Sequence, residues 1–280
     1  MSYTGIITLL IILTNVVISW KGFKSRAVFN KYEFEVERIL LYKEYRRLIT
    51  CGFLHVSWKH LIFNMISLLL FSVMLEADMG PVAYVCIYLG SLIGGNLLSL
   101  YIHRRENDYS AVGASGAICG IIFASIVLYP GMMVSFFGLF PVPGWVYGIV
   151  YILYSIYGIK SRRDNIGHDA HLGGAMAGML IGLMIEPAAI TQNIAVIIAL
   201  TVPCVFFMYV IIHKPHIILV DNYFYNQHHV LADIDDLYNV EKANRQKELD
   251  AILDKIHHKG INSLTKTEKE KLERYSRQIS

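Results

Sequence analysis

Between Tyr109 and Ile159 the chain carries no Asp, Glu, Lys or Arg, a run of 51 residues. A helix of about 20 apolar residues is enough to cross a bilayer, so this run is too long for one span. It also contains its own breaks, Tyr129-Pro-Gly131 and Pro141-Val-Pro-Gly144, because proline cannot continue a helix and glycine favours turns. The run therefore predicts two spans, near residues 115–129 and 145–159.

The same reading extends along the chain. Hydrophobic residues make up 55% of the 280 residues and charged residues 17%, with a mean hydropathy of +0.45. Of the 47 charged residues, 22 lie in 214–280, so the first 213 residues are apolar runs separated by charged clumps. This excludes a soluble enzyme. Thr4 to Trp20 is read as a retained first span, since no basic segment precedes it and no small-x-small cleavage pattern follows. Leu61 to Leu75, Pro81 to Ile102, Ala170 to Ile185 and Asn193 to His213 add the second, third, sixth and seventh, with Pro203 expected to kink the last. Lys21 to Lys59, with 9 basic and 4 acidic residues among aromatic and aliphatic ones, is expected to be a partly structured loop resting in the interface.

The tail differs in kind. Leu249, Ile252, Leu253 and Ile256 share a face within Val240–His258, Gly260 ends that helix, and Thr265-Lys-Thr-Glu268 has the form of a capping box opening a second helix to about Arg277. His213, His216, His228 and His229 are too irregularly spaced for a metal site. A net charge of +3 without a basic stripe gives no footprint for nucleic acid, and Cys51, Cys86, Cys119 and Cys204 form no CxxC pair, which reads as buried thiols.

Polar residues inside spans are functional candidates, because hydrocarbon penalises them. Three groups stand out: Ser115 opening the fourth span, His171 opening the sixth, and His60 with Asn64, one turn apart at the start of the second. Each pair of spans returns the chain to the same side, so all three begin near one surface at similar depth. Gly116 and Gly120 on the fourth span, and Gly174 and Gly178 on the sixth, are spaced for close helix approach. That approach would bring the Ser115 hydroxyl to the His171 imidazole, a base able to take its proton. His60, Asn64 and the Ser115 backbone N–H could then donate to an oxyanion, at roughly 3–4 kcal/mol per donor. No aspartate is obviously placed to complete a triad.

These residues resemble the rhomboid family of intramembrane serine proteases. The resemblance covers roughly residues 40–186 and rests on Arg47-Leu-Ile-Thr, Gly52-Phe-Leu-His55, His60-Leu-Ile-Phe-Asn64-Met, Gly113-Ala-Ser-Gly-Ala117 and Ala170-His-Leu-Gly-Gly-Ala-Met-Ala-Gly178. It implies an all-α polytopic membrane protein with a six-helix core (1–186, with 21–59 as interfacial first loop), to which the chain's own apolar and charged pattern adds a seventh transmembrane helix (187–213) and a soluble tail (214–280) with a helical hairpin at about 240–278. It implies a Ser115–His171 dyad acting through a covalent acyl-enzyme, with His60, Asn64 and the Ser115 N–H as oxyanion hole. Arg47, His55, Glu76, Gly113, Gly116, Gly174 and Gly178 are read as structural residues near the site. No cofactor or metal is implied. The implied partners are the lipid bilayer and membrane proteins whose spans contain helix-destabilising residues, and the implied location is a bacterial cell membrane.

Two departures stand against the family pattern. Many relatives carry an aromatic residue one turn after the serine, packed on the histidine ring, where this chain has Cys119; ring orientation then falls to Asp169 or a backbone carbonyl. The seventh span and tail also exceed the six-span core. Orientation is in conflict, since all 14 Lys and Arg before position 214 flank the site side, which the positive-inside rule puts in the cytoplasm, whereas typical bacterial relatives open the site outside. A non-catalytic relative that binds unstable spans is the alternative, although such relatives generally lack the serine or histidine. A transporter would call for charges at mid-membrane or an internal repeat.

Overall fold

The computed structural model describes residues 5–136, 140–161, 166–213, 249–258, 260, 263–265, 267–269 and 272. Helix α1 (Ile6–Lys24) is followed by a compact first loop: α2 (Arg26–Tyr32), strand β1 (Phe34–Glu35), α3 (Val36–Leu40), α4 (Arg47–Thr50) and a 3-10 turn at Cys51–Phe53. Helix α5 (Trp58–Ile102) contains the expected second and third spans, divided at Gly80, where φ is 78° and ψ is 167°. The residue before a proline is disfavoured in the α region, and only glycine takes this positive φ at low cost; Gly80-Pro81 therefore makes the turn within what is otherwise one run of helix.

Strand β2 (Ser110–Ala111) leads into α6 (Ser115–Leu128); strands β3 (Met133–Phe136) and β4 (Phe140–Pro143) then lead into α7 (Gly144–Ser161). Helix α8 (His168–Ile185), a short α9 (Ala188–Gln192) and α10 (Ile194–His213) complete the bundle. The predicted spans thus correspond to helices, most of them with ends shifted by only a few residues. The β3–β4 hairpin, paired from Met133↔Pro143 to Phe136↔Phe140, replaces the simple loop that the proline and glycine breaks suggested. Proline fits a two-stranded hairpin because the outer side of each strand has no ladder to complete.

Helix α6 is the centre of the molecule. Every residue from Gly116 to Leu128 is buried, as expected of a helix that is apolar all round. Its main partners are α5 and α8. With 14 residues it is about 21 Å long, against a hydrocarbon core of about 30 Å.

The first loop is more than a partly structured segment. Phe34, Val36, Ile39 and Cys51 form a small core of their own, with Leu48, Leu100 and Tyr109 packed around it. Arg47 is buried beneath it and spends its donors on Glu44 Oε2 at 2.6 Å, the Asn30 carbonyl at 2.8 Å and the Glu33 carbonyl at 2.7 Å. A buried guanidinium is tolerated only when paired and bonded in this way, and the Arg47 hydrogen bond in turn holds the Glu44 carboxyl below its ordinary range. The loop reaches the site through β1, which pairs antiparallel with β2 (Phe34↔Ala111, Glu35↔Ser110), and through the Gly113 N–H, which donates to the Cys51 carbonyl at 3.1 Å.

Glu76 is also buried. Its carboxylate accepts from the Ile7 N–H at 2.9 Å, the Thr8 N–H at 2.9 Å and the Thr8 hydroxyl at 2.6 Å. The first amides of a helix have no partners within it, so Glu76 serves as a cap for α1 from another helix. In the tail, residues 249–258 are helical and the capping box is formed: Thr265 N–H donates to Glu268 Oε2 at 2.7 Å and Glu268 N–H to Thr265 Oγ1 at 3.3 Å. Lys255 reaches across to Glu268 at 2.8 Å. The remainder of the expected hairpin, and His216, His228 and His229, lie outside the described residues.

Candidate active site

Ser115 is the first residue of α6 and His171 lies in the first turn of α8. Their side chains meet, with Ser115 Oγ 2.7 Å from His171 Nε2. Glycine makes this possible. A methyl group added at Gly174 would run into the Gly116 carbonyl, and one at Gly178 into the backbone of Gly120. One added at Gly116 would lie 3.2 Å from the Ala170 carbonyl. The two helices therefore touch backbone to backbone at the four glycines singled out in the sequence.

His60 and Asn64 occupy the first turns of α5, capped by Ser57, whose hydroxyl accepts from the His60 N–H at 3.2 Å. Gly113 takes φ 135°, a conformation closed to most side chains. A Cβ there would sit 3.0 Å from His60 Nε2 and 3.7 Å from Ser115 Oγ, so the bare backbone at Gly113 separates imidazole and hydroxyl by no more than a methyl group. Asn64 Nδ2 and His60 Nδ1 are buried without a hydrogen-bond partner among the described residues. A buried unpaired donor costs about 1–3 kcal/mol, and such groups call for an explanation that folding alone does not supply.

His55 supports this corner from the first loop. It is fully buried, its Nδ1 is 2.9 Å from the Ser19 hydroxyl, and its ring meets that of His60 edge-on at 4.9 Å. Burial, helped by the neighbouring His60, pushes its pKa down to about 3, so it stays neutral.

Asp169 does not orient His171. Its carboxylate pairs with His103 Nε2 at 3.2 Å, and His103 Nδ1 lies 2.7 Å from Glu106. Burial alone would depress His103, but the hydrogen bonds to Asp169 and Glu106 raise it to about 9. The physical reason is register: residues two apart on a helix point to different sides. The His171 Nδ1 atom instead lies 3.0 Å from the hydroxyl of Tyr151 on α7, and that hydroxyl lies 3.0 Å from Cys119 Sγ. Sequence reasoning missed Tyr151; its one available signal was the i, i+4 pair Tyr147/Tyr151 on the fifth span.

A family model described as Rhomboid domain matches residues 42–188, more than half of the chain. The chain belongs to the rhomboid family. This rhomboid is accordingly an integral, multi-pass membrane protein of a family associated with intramembrane proteolysis. It is 32% identical over 171 residues to Rhomboid protein 1, mitochondrial, of Saccharomyces cerevisiae, covering 58% of this chain and 49% of that protein. RHOMBOID-like protein 12, mitochondrial, of Arabidopsis thaliana is 28% identical over 187 residues, 61% of this chain and 55% of the relative. RHOMBOID-like protein 4 of the same plant is 30% identical over 162 residues, 55% and 38% of the two chains. The chain thus spans about half the length of these relatives or less. Two of them are mitochondrial by name, so the expected bacterial cell membrane gains no support. A second model, described as a family of unknown function (DUF6576), matches residues 232–278, within the tail.

Proposed function

We propose that this rhomboid is an intramembrane serine endopeptidase in which Ser115 is the nucleophile and His171 the general base. The observation that carries the reading is the 2.7 Å contact from Ser115 Oγ to His171 Nε2 at the start of a buried helix. A serine hydroxyl needs a base to become a nucleophile, and a neutral imidazole at hydrogen-bond distance is such a base. Ser115 Oγ attacks the scissile carbonyl as its proton moves to Nε2. Asn64 Nδ2, His60 and the Ser115 N–H donate to the resulting oxyanion, which gives the unpaired buried amide of Asn64 its acceptor. Collapse of the tetrahedral intermediate passes the proton from Nε2 to the departing amine and leaves an acyl-enzyme. Water, deprotonated by the same nitrogen, then releases the acid and restores Ser115.

The substrate class that fits is a membrane protein whose span contains residues that weaken its helix, since a peptide carbonyl must leave its own hydrogen bond to reach Ser115. The test is cleavage of a transmembrane reporter in liposomes, together with labelling by a fluorophosphonate. Ser115→Ala and His171→Ala are expected to abolish both, and Asn64→Ala to lower kcat about 100-fold or more. Undiminished cleavage by Ser115→Ala would overturn the proposal.

A further inference from the structure

The contact between His171 and α7 can run in either direction, and the base role of Nε2 requires one of them. Resting on the protease reading above, we infer that Tyr151 is a positioning residue that selects the reactive tautomer of His171, with Cys119 as its anchor. Nε2 can accept the Ser115 proton only if the neutral ring carries its hydrogen on Nδ1. Nδ1–H then donates to Tyr151 Oη, 3.0 Å away. Tyr151 has a single hydroxyl hydrogen, and with its oxygen accepting from His171 that hydrogen is free to donate to Cys119 Sγ, 3.0 Å away. The chain of donors reads His171 to Tyr151 to Cys119, and Ser115 donates into its other end. Reversing it, with Tyr151 donating to Nδ1, would place the ring hydrogen on Nε2 and turn the base into a donor toward Ser115. No proton passes along the chain during the reaction; it fixes where the ring hydrogen resides.

The tyrosine is held for this task from two further sides. Its ring meets Phe123 of α6 edge-on at 5.9 Å and stacks with Tyr147, one turn earlier on α7, at 5.9 Å. Its plane is tilted 34° from that of His171 at 6.2 Å between centroids, so the hydroxyl rather than the ring face makes the contact. Cys119, one turn after Ser115 on the same helix, is small enough to leave room for this hydroxyl and polar enough to accept from it. The aromatic group near the histidine is therefore delivered from α7, and the thiol on α6 is its complement.

The experiment compares Tyr151→Phe, Cys119→Ala and Cys119→Ser with Ser115→Ala, using kcat and KM for the liposome reporter, fluorophosphonate labelling rates and thermal unfolding. Tyr151→Phe keeps the ring contacts and removes the hydroxyl; it is expected to lower kcat and the labelling rate together by about 10- to 100-fold, with KM within about twofold and an unfolding temperature lowered by only a few degrees, because the buried Nδ1–H loses its acceptor. Cys119→Ala should lower kcat by a smaller factor, and Cys119→Ser, which keeps an acceptor, should recover most of it. If Ser115→Ala is inert while Tyr151→Phe keeps wild-type kcat, the positioning role is overturned and the protease reading stands. If Ser115→Ala still cleaves, the protease reading itself fails, whatever Tyr151 does. A loss in Tyr151→Phe confined to KM or to unfolding temperature would also overturn the inference.

Discussion

The two sides of helix α8 are built on different principles. Toward α6 and α5 it packs through glycine: Gly174 on Gly116, Gly178 on Gly120, Gly173 against Gly94 and Gly95. Toward α7 it meets side chains, Tyr151 at His171 and Tyr154 at His168, the latter edge-on at 4.9 Å. Backbone contacts cannot adjust, because nothing in them rotates. Side-chain contacts can, because each ring has torsions to spend. Glycine contact therefore sets how close the helix carrying the imidazole comes to Ser115, while the inferred role of the tyrosine hydroxyl is to set which way the ring faces and where its hydrogen lies.

A glycine substitution inside the α6–α8 contact, set against one on α7 that faces α10 and α6 instead, breaks this comparison most directly. Gly174→Ala puts a methyl group onto a carbonyl of α6, and separation of the helices is expected to cost at least about 2–3 kcal/mol, outweighing the roughly 1 kcal/mol that alanine gains in helix propensity. Unfolding in detergent and loss of fluorophosphonate labelling together would register it. An intermediate effect is expected at the polar tether of α8. His103 has a folded pKa of about 9, above its ordinary 6.5, so its pairing with Asp169 and Glu106 is fully stabilising below pH 6.5 and is lost as pH rises through about 9. Between pH 7 and 10 the native protein should lose on the order of 1–3 kcal/mol more stability than His103→Gln does, measured as the difference between their unfolding curves. The smallest effect belongs to Gly148→Ala on α7, where the new methyl would meet the end of the Leu200 side chain at 2.9 Å. A flexible tip can move aside, so a change within about 1 kcal/mol and near-normal reporter cleavage are expected.

Much of the fold was legible because lipid leaves so few options. Backbone groups in hydrocarbon must be bonded within helices, so charge-free runs and proline breaks nearly dictate the helices, and counting crossings puts Ser115 and His171 on one side. Gly116, Gly120, Gly174 and Gly178 were readable for the same reason. What stayed hidden depends on contacts between distant segments of irregular chain. The pairing of Phe34 with Ala111 joins positions 77 apart through two residues per strand, too short for any periodic signal. Glu76 was read as a structural residue through the family resemblance, but nothing local announces that its partners are Ile7 and Thr8. Tyr151 was hidden among Tyr147, Tyr154 and Tyr157 on a helix whose rotation about its axis the sequence does not specify. Asp169 attracted attention through adjacency to His171 alone, which helical geometry makes a poor guide.

The reach of Glu76 bears on how the chain is made. Synthesis delivers α1 first, yet the carboxylate that satisfies its leading amides is 69 positions further on. Until that stretch leaves the ribosome, the outer end of α1 must find water or headgroups instead of protein. The end of α1 is thus fully capped only when α5 arrives to clasp it.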